Sequence, residues 1–389
     1  MSKIHELIAE LCPEGVPVLA FGDLVINRDN ERSPVTRDLR LSGAYPYYGA
    51  NGIQDHVEEF IFDGTFLLIG EDGSVIEADG APVLNWAEGK IWVNNHAHVL
   101  QEKPDGPNLR YLYFYLSTIN VSGFVTGGSQ KKINQGNLNK IPIPLPPIEV
   151  QREIVSILDK FKQLEAELEA ELEARRSQYE HKRDQLLDFS GDLSSHPLRE
   201  LIAEFCPEGV KSLSIAEIAE VGTGSSDKKD TAISGLFPLY VRSKNVEKSD
   251  TFEFDETAII IPGEGGVGDI FHFATGKYAL HQRAYRISPV DSRVDPKYLF
   301  YAFKVLFKDH ISSKAVSATV TSIRKPMVTS FSVPIPPLEV QREIVSILDK
   351  LDALVNDLTF GLPAEIAARR KQYEYYRNKL LTFKELETA

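Results

Sequence analysis

Cysteine is nearly absent, with two residues in 389. Two thiols cannot staple a chain of this size, and neither stands in the spacing of a four-ligand zinc site. No run of about 18 consecutive apolar residues occurs, so no membrane-spanning helix is expected. The opening Met1-Ser2-Lys3-Ile4-His5-Glu6 lacks the apolar core of a signal peptide, and the cytoplasm is the expected compartment. Basic charge is also in deficit: 43 Lys+Arg against 56 Asp+Glu leave a net charge of -13. That balance argues against a general polyanion coat but leaves room for a DNA reader with local basic patches. What is present, 42% hydrophobic and 25% charged residues, suits a folded chain. The length exceeds one comfortable core and points to two or three domains.

The strongest positive signal is a repeat. Glu6–Val16 reads ELIAELCPEGV and Glu200–Val210 reads ELIAEFCPEGV, an offset of 194. Glu149–Lys160 and Glu339–Lys350 both read EVQREIVSILDK, an offset of 190. The stretch Ala174–Glu180 recurs as Ala368–Glu374, back at 194. A period this long means two tandem domains, not a solenoid. Cys12 and Cys206 are copies of one position and read as buried thiols. The change of offset places four extra residues near Thr359-Phe360-Gly361-Leu362-Pro363. Pro363 predicts a kink or break in the second late helix, while the first runs through. Between the matched segments, residues 17–141 and 211–332 share only scattered signs. Connectors kept alike around unlike bodies suggest two related binding domains with different ligands.

The spacing of Ile4, Leu7, Ile8 and Leu11, and of Leu198, Leu201, Ile202 and Phe205, predicts a short amphipathic helix at each start. The bodies read as strands and turns, with strands expected at Glu59–Phe62, Phe66–Ile69, Lys90–Val93 and Thr257–Ile261. Helices are expected at Leu109–Ile119 and Pro296–Phe307. Proline straps, Ile141–Pro147 and Val333–Pro337, should be extended, with the final proline in the first turn of a long helix. Ile157, Phe161, Leu164, Leu168, Leu172, Arg175, Tyr179 and Leu186 form a stripe along that helix. Ile347, Leu351, Leu354, Leu358, Ile366, Arg369, Tyr373, Tyr376 and Leu380 form its counterpart. Such stripes want a partner helix, most simply in an antiparallel pair. The alternating Glu165, Glu167, Glu169, Glu171 and Glu173 read mostly as solvated. About 40 helical residues at ~1.5 Å each span on the order of 60 Å, enough to hold two bodies over DNA half-sites roughly 34 Å or more apart.

No catalytic set is evident. Gly263–Asp269 superficially resembles a phosphate loop, but Asp269 stands where a lysine is required, and the segment reads as a glycine-rich turn. The Asn/Asp-Pro-Pro-aromatic element of amino-methyltransferases is missing. His96 and His98, two apart, lack a third ligand, so no metal site is assigned. What remains is amide-rich, locally basic loop chemistry. The first body has Asn94, Asn95, His96 and His98, then Gln130, Lys131 and Lys132 within Gly127–Asn137. The second has Arg242, Lys244 and Asn245, then His281, Gln282 and Arg283, then Arg324 and Lys325 within Thr321–Lys325. Asn and Gln pair bidentately with adenine and Arg with guanine in the major groove, while Lys and Arg hold phosphates. Residues 222–332 carry 15 Lys/Arg against 12 Asp/Glu, whereas residues 17–141 carry 10 against 15. The first body therefore needs a local patch or a partner.

The strap and helix start at Pro144–Ile154, shortened at Pro334–Ile344, resemble those of type I restriction-modification specificity subunits. So do Tyr45–Gly52, Gly70-Glu71-Asp72-Gly73 and Gly127–Ile133, and the likeness covers the whole chain in order. The second body departs from it: Tyr240–Lys244 replaces the Tyr-Gly-Ala-Asn-Gly stretch, as expected if the two bodies read different sequences. The resemblance implies an α+β chain of two α/β target-recognition domains, residues 1–147 and 193–337. Two spacer helices, 148–192 and 338–389, would pair as an antiparallel coiled coil with pseudo-two-fold symmetry. Each domain would read one half of a bipartite double-stranded DNA target, and Tyr47 and Asn51 join the candidate contacts. The helices would set the gap and dock modification subunits, expected to be two, with restriction subunits added. S-adenosylmethionine, ATP and Mg would belong to those partners and no cofactor to this chain. The competing readings are a self-contained methyltransferase or nuclease, a coiled-coil scaffold without DNA readout, and a specificity subunit of a related complex that is not type I.

Overall fold

The structure is a computed structural model that describes residues 2–128, 130–313, 322–357 and 359–386. Ser129, Thr321 and Leu358, named in the motifs above, lie outside the described residues. The chain is α+β and divides into two compact units, Met1–Glu169 with Ile366–Ala389 and Ala170–Glu365. Among the described residues no helix is long and apolar enough to cross a membrane.

The first unit opens with α1 (Ser2–Leu11), β1 (Val18–Ala20), α2 (Phe21–Leu24) and β2 (Val25–Asn27). Five longer strands follow: β3 (Ser42–Gly49), β4 (Gly52–Val57), β5 (Phe62–Gly70), β6 (Leu84–Val93) and β7 (Ala97–Glu102). Then come α3 (Leu109–Leu116), α4 (Gln135–Leu138), β8 (Pro142–Pro144) and the long α5 (Ile148–Leu187). The main sheet runs β2-β7-β5-β6-β3-β4, antiparallel except for the β3/β6 pair. Leu67 and Ile69 of β5 face the core that holds α3, while Phe66 and Leu68 face a second core with Ile91 and Val99. A strand buried on both faces needs an unbroken apolar run, which Phe66–Ile69 supplies. The strand expected at Glu59–Phe62 is corrected: only Phe62 enters β5. Phe60 instead stacks edge-on to Tyr45 at 5.1 Å, beneath the Lys90 ammonium.

The second unit repeats this order: α6 (Arg199–Phe205), β9 (Ser212–Ser214), α7 (Ile215–Ile218), β10 (Ala219–Thr223) and β11 (Phe237–Tyr240). Next stand β12 (Glu247–Ser249), β13 (Phe254–Pro262), β14 (His272–Leu280), β15 (Ala284–Pro289), α8 (Pro296–Ser313), α9 (Lys325–Thr329) and β16 (Ser332–Pro334). Its sheet runs β10-β15-β13-β14-β11-β12, and the one parallel pair is again the matching one, β11/β14. Ile259 and Ile261 face one core, Ala258 and Ile260 the other. The bodies thus share a fold while sharing little sequence, because period-2 burial constrains polarity and not identity. The Gly263–Asp269 segment is a turn with Gly265, Gly266 and Gly268 at positive φ, and Asp269 pairs with Lys308 at 2.7 Å.

Two helix ends differ from expectation. α3 stops at Leu116, where the Ser117 and Thr118 hydroxyls bond the carbonyls of Phe114 and Tyr115 at 2.7 Å each. α8 continues beyond Phe307 to Ser313, because Ile311 prolongs its buried face.

β8 and β16 pair antiparallel with β1 and β9. The last strap prolines stand before the helices, not in their first turns. The Pro147 carbonyl accepts from Val150 and Gln151, and that of Pro337 from Val340 and Gln341. α5 runs unbroken for 40 residues. Its counterpart is split into α10 (Leu338–Asn356) and α11 (Leu362–Leu381), as the insertion predicts. The break is closed by Asp357, which accepts from the Thr359 and Gly361 amides.

Part of the deepest helix face lay outside the expected stripes, although Leu186 within them is also 0% exposed. That part comprises Val150, Ile154 and Leu158, and in the copy Val340, Ile344 and Leu348, all 0% exposed. Leu164 and Leu354 of the stripes are exposed. In the first unit the stripe face pairs antiparallel with α11. Phe161 lies 6.3 Å from Tyr373 and 5.8 Å from Tyr376, and Arg370 bonds Glu165 (2.6 Å) and Glu169. In the second unit Tyr179, Leu186 and Leu187 of α5 share a core with Leu348 and Val355 of α10. Glu167, Glu171 and Glu173 are exposed. Cys12 is buried as expected, but Cys206 is only half-buried, beside a Val210 less covered than its copy Val16.

Candidate nucleic-acid interface

Three loops of the first unit are tied together by backbone bonds. The Glu71 amide donates to the His96 carbonyl (2.8 Å), that of Ile133 to Glu71 (2.9 Å), and that of Asn94 to Tyr48 (3.0 Å). The second unit repeats the weave: Gly263 donates to Arg283 (2.8 Å), Ile323 to Gly263 (2.8 Å) and His281 to Tyr240 (2.9 Å). Thus Asn94-Asn95-His96 and His281-Gln282-Arg283 occupy equivalent places. The Glu71-Asp72 and Gly263-Glu264 loops also match, whereas Lys131-Lys132 stand just before Ile133 and Arg324-Lys325 just after its equivalent Ile323. This backbone frame brings together the candidates of the His96 and Lys132 loops in the first body and those of the Arg283 and Arg324 loops in the second.

A carboxylate organises each cluster. In the first, Glu71 bonds Arg32 Nη1 at 2.6 Å and Lys132 Nζ at 3.1 Å, while exposed His96 pairs with Asp72. Burial raises the Glu71 carboxyl, but Arg32, His98 and Lys132 outweigh it and hold the group below its usual range. In the second, Glu264 bonds Arg283 Nη1 at 2.6 Å and also Arg242. The Arg283 bond is the main reason that carboxyl sits low. An acid beside a DNA-facing surface repels phosphate, yet it fixes the direction of the guanidiniums around it.

Several candidates prove to be frame residues. His98 is 0% exposed, with Nδ1 2.5 Å from Asp29 Oδ2 and Nε2 2.8 Å from the Ile133 carbonyl. Burial pushes the Asp29 carboxyl up. The His98 contact and the Val99 amide more than offset this and hold it low. Asp29, Glu71 and His98 are the residue types of a metal site, their ligand atoms within 4.8 Å. Each is already engaged, with two cations on Glu71 and a carbonyl on His98 Nε2. Tyr47 is buried, and its hydroxyl donates to the Val35 carbonyl (3.3 Å) with the Arg40 guanidinium 4.1 Å over its ring. Asn94 is buried and accepts from the His96 amide at 2.8 Å. His281 is buried, 3.3 Å from Asp227, and its Nδ1 accepts from the Arg283 amide.

The exposed candidates are Asn51, Asn95, His96, Gln130, Lys131 and Lys132 in the first body. In the second they are Arg242, Lys244, Asn245, Gln282, Arg283, Arg324 and Lys325. Gln282 Nε2 donates to Asp227 at 3.4 Å. Sequence reasoning missed the organising acids Glu71, Asp72, Glu264 and Asp227 and the cations Arg32, Lys228 and Lys229 near them, and also Arg40, which pairs with Asp55 at 3.4 Å. One signal was available: Arg28, Arg32, Arg37 and Arg40 fall within 13 residues of an acidic chain.

A family sequence description, the type I restriction modification DNA specificity domain, matches this chain twice, at residues 13–174 and 207–368. A putative type I restriction enzyme specificity subunit of Haemophilus influenzae is 35% identical over 382 residues, covering 91% of this chain and 92% of that protein. The EcoR124I/EcoR124II specificity subunit of Escherichia coli is 35% identical over 353 residues, covering 84% and 86%. In fold, the chain is similar to the crystal structure of a type I S subunit from M. genitalium. The TM-score is 0.63 at 15% identity, covering 94% of this chain and 96% of that one.

Proposed function

This chain belongs to the type I restriction-modification specificity family, and from that premise we propose how it works. It is the DNA sequence-reading subunit of a type I restriction-modification enzyme, and each body reads one half of a bipartite double-stranded target. The observation that carries this reading is the twin loop weave. One backbone frame presents Asn95, His96, Lys131 and Lys132 in one body and Arg242, Gln282, Arg283 and Arg324 in the other. Amide and guanidinium groups distinguish base edges, and lysines hold backbone phosphates. A shared frame with different side chains is what two different half-sites require.

The recognition domains are residues 1–147 and 193–337, and residues 148–192 and 338–389 form the spacer. The length of α5 supports a fixed interval between half-sites. Two modification subunits dock on the helices and carry S-adenosylmethionine and the methyl-transfer chemistry. Restriction subunits bring ATP, Mg and cleavage. This chain contributes no catalytic group and works in the cytoplasm.

The test is co-expression with the neighbouring modification subunit, followed by genome-wide mapping of methylated adenine. A split, asymmetric motif is expected; an unmarked genome or one uninterrupted short motif overturns the reading.

A further inference from the structure

The duplicated framework builds the same acceptor edge in both units, and among the described residues it is paired in the first and not in the second. In the first unit Lys384–Leu386 runs beside Val16. The Val16 amide donates to Lys384 (2.9 Å) and its carbonyl accepts from Leu386 (2.9 Å), in a parallel bridge with Glu385. Val16 is 0% and Cys12 9% exposed. Gly15 sits at φ 116°, and a Cβ there would stand 2.6 Å from the Lys384 carbonyl, so this approach requires glycine. Leu386 lines a cleft of about 590 Å³ with Leu11, Leu145 and Pro146.

The acceptor in the second unit differs at one of eleven positions, Phe205 for Leu11. Its cleft, about 720 Å³, is walled by Phe205, Cys206, Val210, Ile335 and Pro336. Nothing lies within 4 Å of a Cβ built on Gly209. Among the described residues, the Val210 amide and carbonyl have no backbone partner. Val210 and Cys206 are half-buried.

The reason lies in the chain that follows each late helix. Phe383 and its copy Phe189 both pack on their own unit's core. Beyond them, Lys384-Glu385-Leu386 is extended, whereas the matching Ser190-Gly191-Asp192 turns. The Ser190 amide and hydroxyl bond Asp188, Asp192 accepts from the Ser194 amide, and His196 stacks on Phe189 at 4.9 Å. The chain must reach α6 at Arg199, so it cannot also lie along Val210.

We propose that the Gly209–Val210 cleft accepts an extended segment of a partner polypeptide as a parallel strand. The occupant chemistry is that of Lys384–Leu386. One carbonyl takes the Val210 N–H, an N–H two residues later donates to the Val210 carbonyl, and an apolar side chain lies on the wall of Phe205, Ile335 and Pro336. A second copy giving up its own Lys384–Leu386 uncovers its own Val16, and the exchange gains nothing, so the occupant is a different polypeptide. This inference does not rest on the DNA reading.

The test uses the full chain and the synthetic peptide Leu-Thr-Phe-Lys-Glu-Leu. The rate of Cys206 alkylation is followed by mass spectrometry. At a peptide concentration about ten times its Kd, alkylation is expected to slow about ten-fold. A peptide N-methylated at its final leucine, which lacks the donating N–H, is expected to give no protection. Absence of protection at millimolar peptide, or equal protection by the N-methylated form, overturns the strand-pairing proposal. Protection that rises with protein concentration alone, together with a dimer mass in sedimentation, identifies a second copy as occupant and overturns the partner assignment.

Discussion

Asn108 donates its backbone N–H to Oε1 of Gln151 at 2.9 Å, across 43 residues of sequence. The Gln151 amide group donates to the Pro146 carbonyl at 2.7 Å, and the Asn108 side chain caps α3 by accepting from Arg110 and Tyr111. The second unit makes the same lock with other capping chemistry. Asp295 donates to Gln341 Oε1 at 2.8 Å and caps α8, while Gln341 Nε2 donates to Pro336 (2.6 Å) and Arg293 (2.7 Å). A buried glutamine therefore fastens strap, body helix and long helix in each half. This gives a physical reason for the same glutamine to stand in both copies.

Replacing Gln341 by Leu leaves the Asp295 amide and two carbonyls without this partner inside the second unit. Each orphaned buried group costs about 1–3 kcal/mol, and a loss of at least about 2 kcal/mol is expected. Urea unfolding of the full chain measures it; an unshifted midpoint would show that the lock contributes nothing.

Glu264→Ala frees Arg242 and Arg283. Methylation mapping of the assembled enzyme should show relaxed choice of base in one half-site only. A loss of about tenfold or more in discrimination is expected from one misdirected bidentate contact. Unchanged specificity would remove Glu264 from the positioning of these arginines, and loss in both halves would contradict separate reading.

Asp29 is held low by its His98 and Val99 contacts despite burial. A carboxyl lowered in the folded state contributes stability above its unfolded value, near pH 4, and that contribution is lost as the pH falls through the folded value. The first unit should thus lose stability progressively below about pH 5. Asp29→Asn should be less stable at neutral pH and show a flatter profile in acid. A variant with the parent's acid slope would assign the sensitivity elsewhere.

Exchanging residues 17–141 for the corresponding body of a relative should alter one half of the methylated motif and leave the other. Alteration of both halves would show that the two bodies do not read independently.

Inserting a few residues near Ala170, within unbroken α5, should lengthen the unread interval of the motif. An active variant with the interval unaltered would remove the helix as the ruler.

The organisation into two copies, the break near Pro363 and the straps all followed from the amino-acid order. Repeat identity, proline placement and apolar periodicity are local properties of a chain. The exposed candidates were also open to sequence reasoning, since amides and cations cluster in Gly- and Asn-rich loops. Burial was not. His98 and Asn95 are near neighbours of similar polarity, yet one is sealed beneath Ile133 and the other faces out. The roles of Glu71 and Glu264 depended on partners far along the chain, 39 residues away for Arg32 and 19 for Arg283. Such pairings are set when strands find their register, and no local pattern encodes them. The same applies to Val16 and Val210. Acceptors alike in ten of eleven positions, they differ in the fold because the residues able to cover them come from other segments, one of which extends while the other turns.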